Sequence, residues 1–248
     1  MIDASLVQAF QADGAVVVRR LLTDDWVETL RAAMPELLEG AYDPRTRLGR
    51  DVKGSTLTSD GMWHRCEPFA RMLFDSPVGG AAAACMRSDT ARLYEDLLLY
   101  TDPEVAGAAW HRDAPHWPLA GSQLSSVWFS LEPVTGESGA LRHVAGSHCD
   151  ADELATSESL LAGDADVGER RVLVFDAEPG DAIVFHPRGL HAAYGAAPDR
   201  PRRSFTLRFT GDDVRFRPRR SMYHAWMHDC GLHKGDELHH PWFPLVHG

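Results

Sequence analysis

From Ala91 onward the chain is cut into short β-prone runs by turn signals at regular intervals. The runs are Ala91–Thr101, Ser122–Leu131, Ala140–Val144, Arg171–Phe175, Asp181–Phe185, Leu190–Tyr194 and Arg203–Thr210. Between them stand Asp102-Pro103, Thr135-Gly136-Glu137-Ser138-Gly139, Glu178-Pro179-Gly180-Asp181 and Pro187-Arg188-Gly189. Glycine and proline supply the left-handed or fixed φ angles that chain reversals require, so these are breaks between strands. Several short strands at this spacing predict a mainly β fold, a sandwich or barrel of the jelly-roll kind.

The first ninety residues have a different period. Leu6, Val7 and Phe10 form a helical stripe over Ser5–Gln11, and Gly14 stops it. Ala15–Val18 reads as a short buried strand. Thr23 is a helix N-cap, with Asp24 and Asp25 favouring the positive end of the helix dipole. Trp26, Val27, Leu30, Ala33, Met34 and Leu37 continue that helix as far as Gly40. Ala41–Ser59 has no period and reads as loop, and alanine-rich Pro77–Met86 reads as a closely packed helix. The expectation is a single domain over 1–248. Flanking helices occupy about 1–90 on one sheet's outer face, the jelly-roll core about 91–215, and a wrapping tail 216–248.

Composition narrows the partners. The formal net charge of -11 disfavours binding to nucleic acid or to an anionic membrane, which leaves a small-molecule substrate. The four cysteines are scattered and contain no CxxC pair, so free thiols are expected. No apolar run approaches membrane-spanning length, and no basic region precedes an apolar run at the N-terminus. A cytoplasmic chain is the expectation, and the oligomeric state has no sequence signal.

The chemistry-bearing residues are concentrated in three places. In Trp110-His111-Arg112-Asp113, the histidine and aspartate are two apart, so on a strand both side chains leave the same face. About eighty residues later His191 begins a new strand after a tight Pro/Gly turn, with His186 as its competitor on the other side of that turn. Two histidines and one carboxylate with open positions form the ligand set of non-haem Fe(II) oxygenases. Arg202 follows His191 by eleven residues. On a strand it shares a face with Ser204 and Thr206, and a guanidinium beside a hydroxyl suits a terminal carboxylate.

Taken in order, these segments resemble the phytanoyl-CoA dioxygenase family of Fe(II)/2-oxoglutarate-dependent oxygenases. The resemblance rests on His111-Arg112-Asp113 with Trp117-Pro118, Ser126-Val127-Trp128-Phe129-Ser130-Leu131, and Gly139-Ala140-Leu141-Arg142 with Ala145-Gly146-Ser147-His148. It continues through Gly180-Asp181 to His191 and ends at Arg202 with Ser204. It implies a cupin-like double-stranded β-helix holding Fe(II) through His111, Asp113 and His191. It also implies 2-oxoglutarate and O₂ as cosubstrates, with Arg202, Ser204 and Trp128 around the 2-oxoglutarate. The implied activity is hydroxylation of a small organic molecule or secondary metabolite, with release of succinate and CO₂. Asp113 points the same way, since halogenating relatives replace this carboxylate with a small residue. Ala193 departs from the family, where many members carry a small polar residue two after the distal histidine. Desaturation, epimerisation or cyclisation at the same centre is the alternative, and a non-catalytic ligand-binding protein of this fold is the rival from another class. His116 and Trp117 are candidate substrate-pocket residues. The histidine-rich tail, in which His224 and His228 share a helical face, is read as a wrapping segment.

Overall fold

The computed structural model describes residues 2–39, 48–50, 56–103, 105–150, 167, 169–219, 227 and 230–248. Helix α1, Ala4–Asp13, starts where the Asp3 carboxylate accepts the backbone N–H groups of Ser5 and Leu6 at 2.9 and 3.0 Å. It ends at Gly14, whose φ of +79° lets its N–H return to the Phe10 carbonyl. Strand β1, Ala15–Val18, follows directly. Helix α2, Asp24–Glu39, opens beneath Thr23, whose hydroxyl lies 3.4 Å from the Trp26 nitrogen. Its stripe of Val27, Leu30, Ala33, Met34 and Leu37 is buried.

Two features depart from the sequence expectation. Within Ala41–Ser59, read as loop, strands β2 (Leu48–Arg50) and β3 (Thr56–Asp60) form at one sheet edge. Edge strands draw on the ladder of the strand they join, β4 (Ala91–Thr101) for β3 and β3 for β2, so they need no apolar alternation of their own. Helix α3, Glu67–Asp75, was not anticipated, although Phe69, Met72 and Leu73 are spaced for one apolar face and are buried. Helix α4, Val78–Met86, packs closely, as its alanine content predicted.

The remaining strands are β5 (Leu119–Ala120), β6 (Leu124–Ser130), β7 (Leu141–Val144), β8 (Val172–Val174), β9 (Ala182–Phe185), β10 (His191–Ala193), β11 (Arg202–Thr210), β12 (Arg215–Phe216) and β13 (Leu245–His247). The major sheet runs β1-β9-β6-β11-β4-β3-β2, with β13 added to β4. The minor sheet runs β10-β7-β8, and β12 pairs with β5. Every described pairing between these strands is antiparallel. This is the half-barrel with flanking helices expected of a double-stranded β-helix.

Strand β11 shows why the site lies where it does. Phe205, Leu207 and Phe209 belong to the core that includes α1 to α4 and are fully buried there. Removing one such side chain from water stabilises the fold by roughly 1.5–3 kcal/mol. Side chains alternate along a strand, so Arg202, Ser204, Thr206 and Arg208 all face the interior between the sheets. Trp128, Ile183 and Phe185 from the major sheet meet Leu141 and Ala193 from the minor sheet in a second apolar cluster.

Candidate metal centre

His111, Asp113 and His191 converge, with one possible ligand atom from each lying within 4.8 Å of the others. The route differs from the strand geometry expected. His111 forms an isolated antiparallel bridge with His191, by reciprocal backbone hydrogen bonds of 2.8 and 2.9 Å. Asp113 has helical dihedrals and caps the short turn Ala114–His116, with its N–H donating to the Pro187 carbonyl. The two side chains therefore meet because the turn before His191 pins this segment from outside, rather than by strand alternation.

Each imidazole is fixed by a local carbonyl. His111 Nδ1 lies 2.7 Å from the Ala109 oxygen, and His191 Nδ1 lies 3.0 Å from the Gly189 oxygen. A carbonyl only accepts, so Nδ1 carries a proton in both rings, which leaves Nε2 as the atom aimed at the cluster. Both Nε2 atoms face Asp113 Oδ1, at 3.6 and 3.9 Å. Burial alone would raise the Asp113 carboxyl, but the Arg208 guanidinium and the two imidazoles outweigh it and hold it at about 2. Burial, with His111 beside it, draws His191 down to about 4, which leaves it neutral near pH 7. Two imidazoles and one anionic oxygen converging on one point fit a divalent cation.

Sequence reading missed Arg208. It lies opposite Glu95 on β4 and opposite Ser126 on β6. One terminal nitrogen pairs with Glu95, and the other donates to Asp113 Oδ2 at 3.0 Å. The guanidinium also lies over the Trp117 ring, 5.3 Å from its centroid. The two flanking carboxylates overcome the cost of burial and raise its affinity for the proton. A spacing signal existed, since Arg208 continues the inward face of Arg202, Ser204 and Thr206. Its two partners, however, come from distant segments.

Arg202 is also largely shielded from solvent, but its partners among the described residues are carbonyls. One terminal nitrogen donates to the oxygens of Gly139 and Tyr194 at 2.9 and 3.1 Å. Burial lowers its pKa to about 10. Among the described residues, Arg202 Nε and the buried Ser204 hydroxyl find no partner. An unmet buried polar group costs about 1–3 kcal/mol, so the pair suits a ligand with a carboxylate. Trp128 lies opposite Thr206, on the same inner face, and is buried.

The other candidates fall elsewhere. His186 meets the Ser122 carbonyl at 3.1 Å and accepts the Arg188 N–H, away from the cluster. Arg112 points away from the triad, donating to the carbonyls of Ser147 and Arg188 and to Asp150. It ties the segment to two neighbouring turns. Trp117 is buried against Tyr94 and Arg208. The side chain of His116, and both His224 and His228, lie outside the described residues. His143, also missed, sits opposite His191 across β7 and β10, its ring stacked 5.8 Å away. Burial keeps it neutral, and its Nε2 has no partner among the described residues. All four cysteines are free. No helix among the described residues is long and apolar enough to cross a membrane.

Comparison with known proteins agrees with this geometry. The profile of the phytanoyl-CoA dioxygenase (PhyH) family matches residues 10–204. No curated protein matches in sequence. Among solved structures, the fold is similar to that of the non-haem α-ketoglutarate-dependent carbocyclase SnoK from nogalamycin biosynthesis. The TM-score is 0.81 at 22% identity, covering 99% of this chain and 96% of that one. The epimerase SnoN of the same biosynthesis has a TM-score of 0.81 at 21% identity, with 98% of each chain covered. EctD from S. alaskensis, solved with 2-oxoglutarate and 5-hydroxyectoine, has a TM-score of 0.68 at 20% identity, covering 95% of this chain and 85% of that one. The profile match spans well over half the chain and includes all three residues of the cluster, so the chain belongs to the phytanoyl-CoA dioxygenase family of iron- and 2-oxoglutarate-dependent oxygenases.

Proposed function

We propose that this chain is a single-domain dioxygenase that hydroxylates a small organic molecule, with His111, Asp113 and His191 as its iron ligands. The observation that carries the reading is one converging triad on the same inner face as an arginine whose partners among the described residues are carbonyls. When bound, iron with 2-oxoglutarate and O₂ supplies the oxidising power, and 2-oxoglutarate leaves as succinate and CO₂. The protein's own part is positioning. The carbonyls of Ala109 and Gly189 hold both imidazoles with Nε2 toward the metal. Arg202 and Ser204 receive the far carboxylate of 2-oxoglutarate, since Arg202 Nε and the Ser204 hydroxyl have no partner among the described residues. Trp128 walls that seat and excludes water from it. Ala193 contributes no hydrogen bond, so Arg202 and Ser204 carry a larger share of cosubstrate binding.

The test is anaerobic loading with Fe(II) and 2-oxoglutarate, followed by a screen for substrate-stimulated succinate formation under air. A visible charge-transfer band and coupled succinate support the reading. A folded protein that gives neither overturns it. A second reading has a specific observation behind it: the fold is closer to an epimerase and a carbocyclase than to EctD. Product mass separates the outcomes, with one added oxygen for hydroxylation, no change for epimerisation and loss of two hydrogens for ring closure.

A further inference from the structure

Asp113 has two carboxylate oxygens, and the fold gives them different neighbours. Oδ1 faces the imidazole nitrogens of His111 and His191. Oδ2 accepts a hydrogen bond from Arg208 at 3.0 Å. Arg208 cannot move aside easily, because its other terminal nitrogen is paired with Glu95. Glu95 is itself 6% exposed and sits directly opposite on the neighbouring strand. The β-bulge at Tyr94 follows immediately, where the register shifts between Arg208 and Phe209. Trp117 closes over the guanidinium face. The result is a buried row of Glu95, Arg208 and Asp113, running from the sheet to the metal-facing oxygen.

Resting on the proposed iron site, we infer that Arg208 is a positioning residue, anchored by Glu95, that restricts Asp113 to a single metal-facing oxygen. A carboxylate free to rotate can bind a metal through both oxygens and so occupy one more coordination position. Two imidazoles and one carboxylate oxygen leave three of six positions open. A chelating keto acid takes two of them, which leaves one for O₂. By engaging Oδ2, Arg208 keeps that last position available. It also fixes the direction of Oδ1, and supporting partners of this kind change metal affinity by about 10–100-fold when removed.

The full-length protein, stripped of metal, is titrated with Co(II) alone and followed by visible absorption, which reports both affinity and coordination number. Arg208→Met is expected to weaken Co(II) binding by about 10–100-fold and to change the spectrum. Arg208→Lys, which offers a charge without the fork, should recover part of the affinity. Glu95→Gln, which leaves Asp113 intact, should shift both readouts in the direction of Arg208→Met. Arg203→Met removes an arginine from the opposite face of the same strand and controls for general loss of stability. It should leave the titration unchanged. If Arg208→Met does not fold, Arg208→Lys and Glu95→Gln carry the test. Wild-type affinity and spectrum in every folded variant would overturn the inference while leaving the iron site standing. Absence of Co(II) binding in the wild type would overturn both.

Discussion

Strand β11 carries two buried arginines six residues apart on one face, and they are in opposite states. Arg208 lies between two carboxylates, and its proton affinity is raised. Arg202 meets two carbonyls, and its proton affinity is lowered. A buried cation with its counter-charges in place is already charge-balanced and can only hold something still. A buried cation without them is stabilised by any anion that enters. The same residue type on the same strand therefore stands between two carboxylates at one end and against carbonyls at the other. The deciding factor is what the neighbouring strands bring opposite: Glu95 at one end, Thr101 at the other.

The sharpest way to break this contrast is to remove each cation. Arg208→Met removes the cation that lies between Glu95 and Asp113, and should cost about 3–5 kcal/mol in urea unfolding. Arg202→Met strands no carboxylate, so its stability should stay close to wild type. Its KM for 2-oxoglutarate should rise roughly 30- to 1000-fold, the effect of deleting one side of a charge-assisted pair. Equal stability losses in the two variants would show that the arginines are not in different states.

Acid separates the two ends further. His186 and His191 are drawn down to about 4 by burial, so the unfolded chain binds more protons between pH 6.5 and 4. Stability should therefore fall as pH drops through that window, with His186 alone contributing about 3 kcal/mol. Asp113 is held at about 2 by Arg208 and its neighbours, so its contribution is present above pH 4 and lost as pH falls toward 2. Arg202→Met should keep both phases, whereas Arg208→Met should lose the lower one. Urea midpoints measured across pH check this.

The smallest expected effect comes from the other face of the strand. Arg203 pairs with Glu132 through its backbone N–H at 2.7 Å and its Nε at 2.6 Å. Arg203→Met should cost about 1–3 kcal/mol and leave both KM and metal affinity unchanged.

Much of this architecture was legible in the chain. β4 begins and ends as expected, and most other core strands differ from their expected bounds by one or two residues, because turn residues act locally. The edge strands β2 and β3 were missed because pairing, of β3 with β4 and of β2 with β3, rather than their own pattern, forms them. The triad was legible as three residues, but the reason given for its first pair was wrong. His111 and Asp113 converge through a bridge and a capped turn held by the Pro187 carbonyl, and a spacing of two does not encode that.

The sequence by itself determined the strand-and-turn rhythm and the inward row of β11. These depend on local propensity and on a two-residue alternation that any reader can follow. Only the tertiary structure decided which oxygen of Asp113 accepts from Arg208, which arginine lies between carboxylates and which against carbonyls, and that His143 stacks on His191. Those states are set by charges and rings brought together from segments far apart in the chain, and burial makes each pairing strong enough to matter.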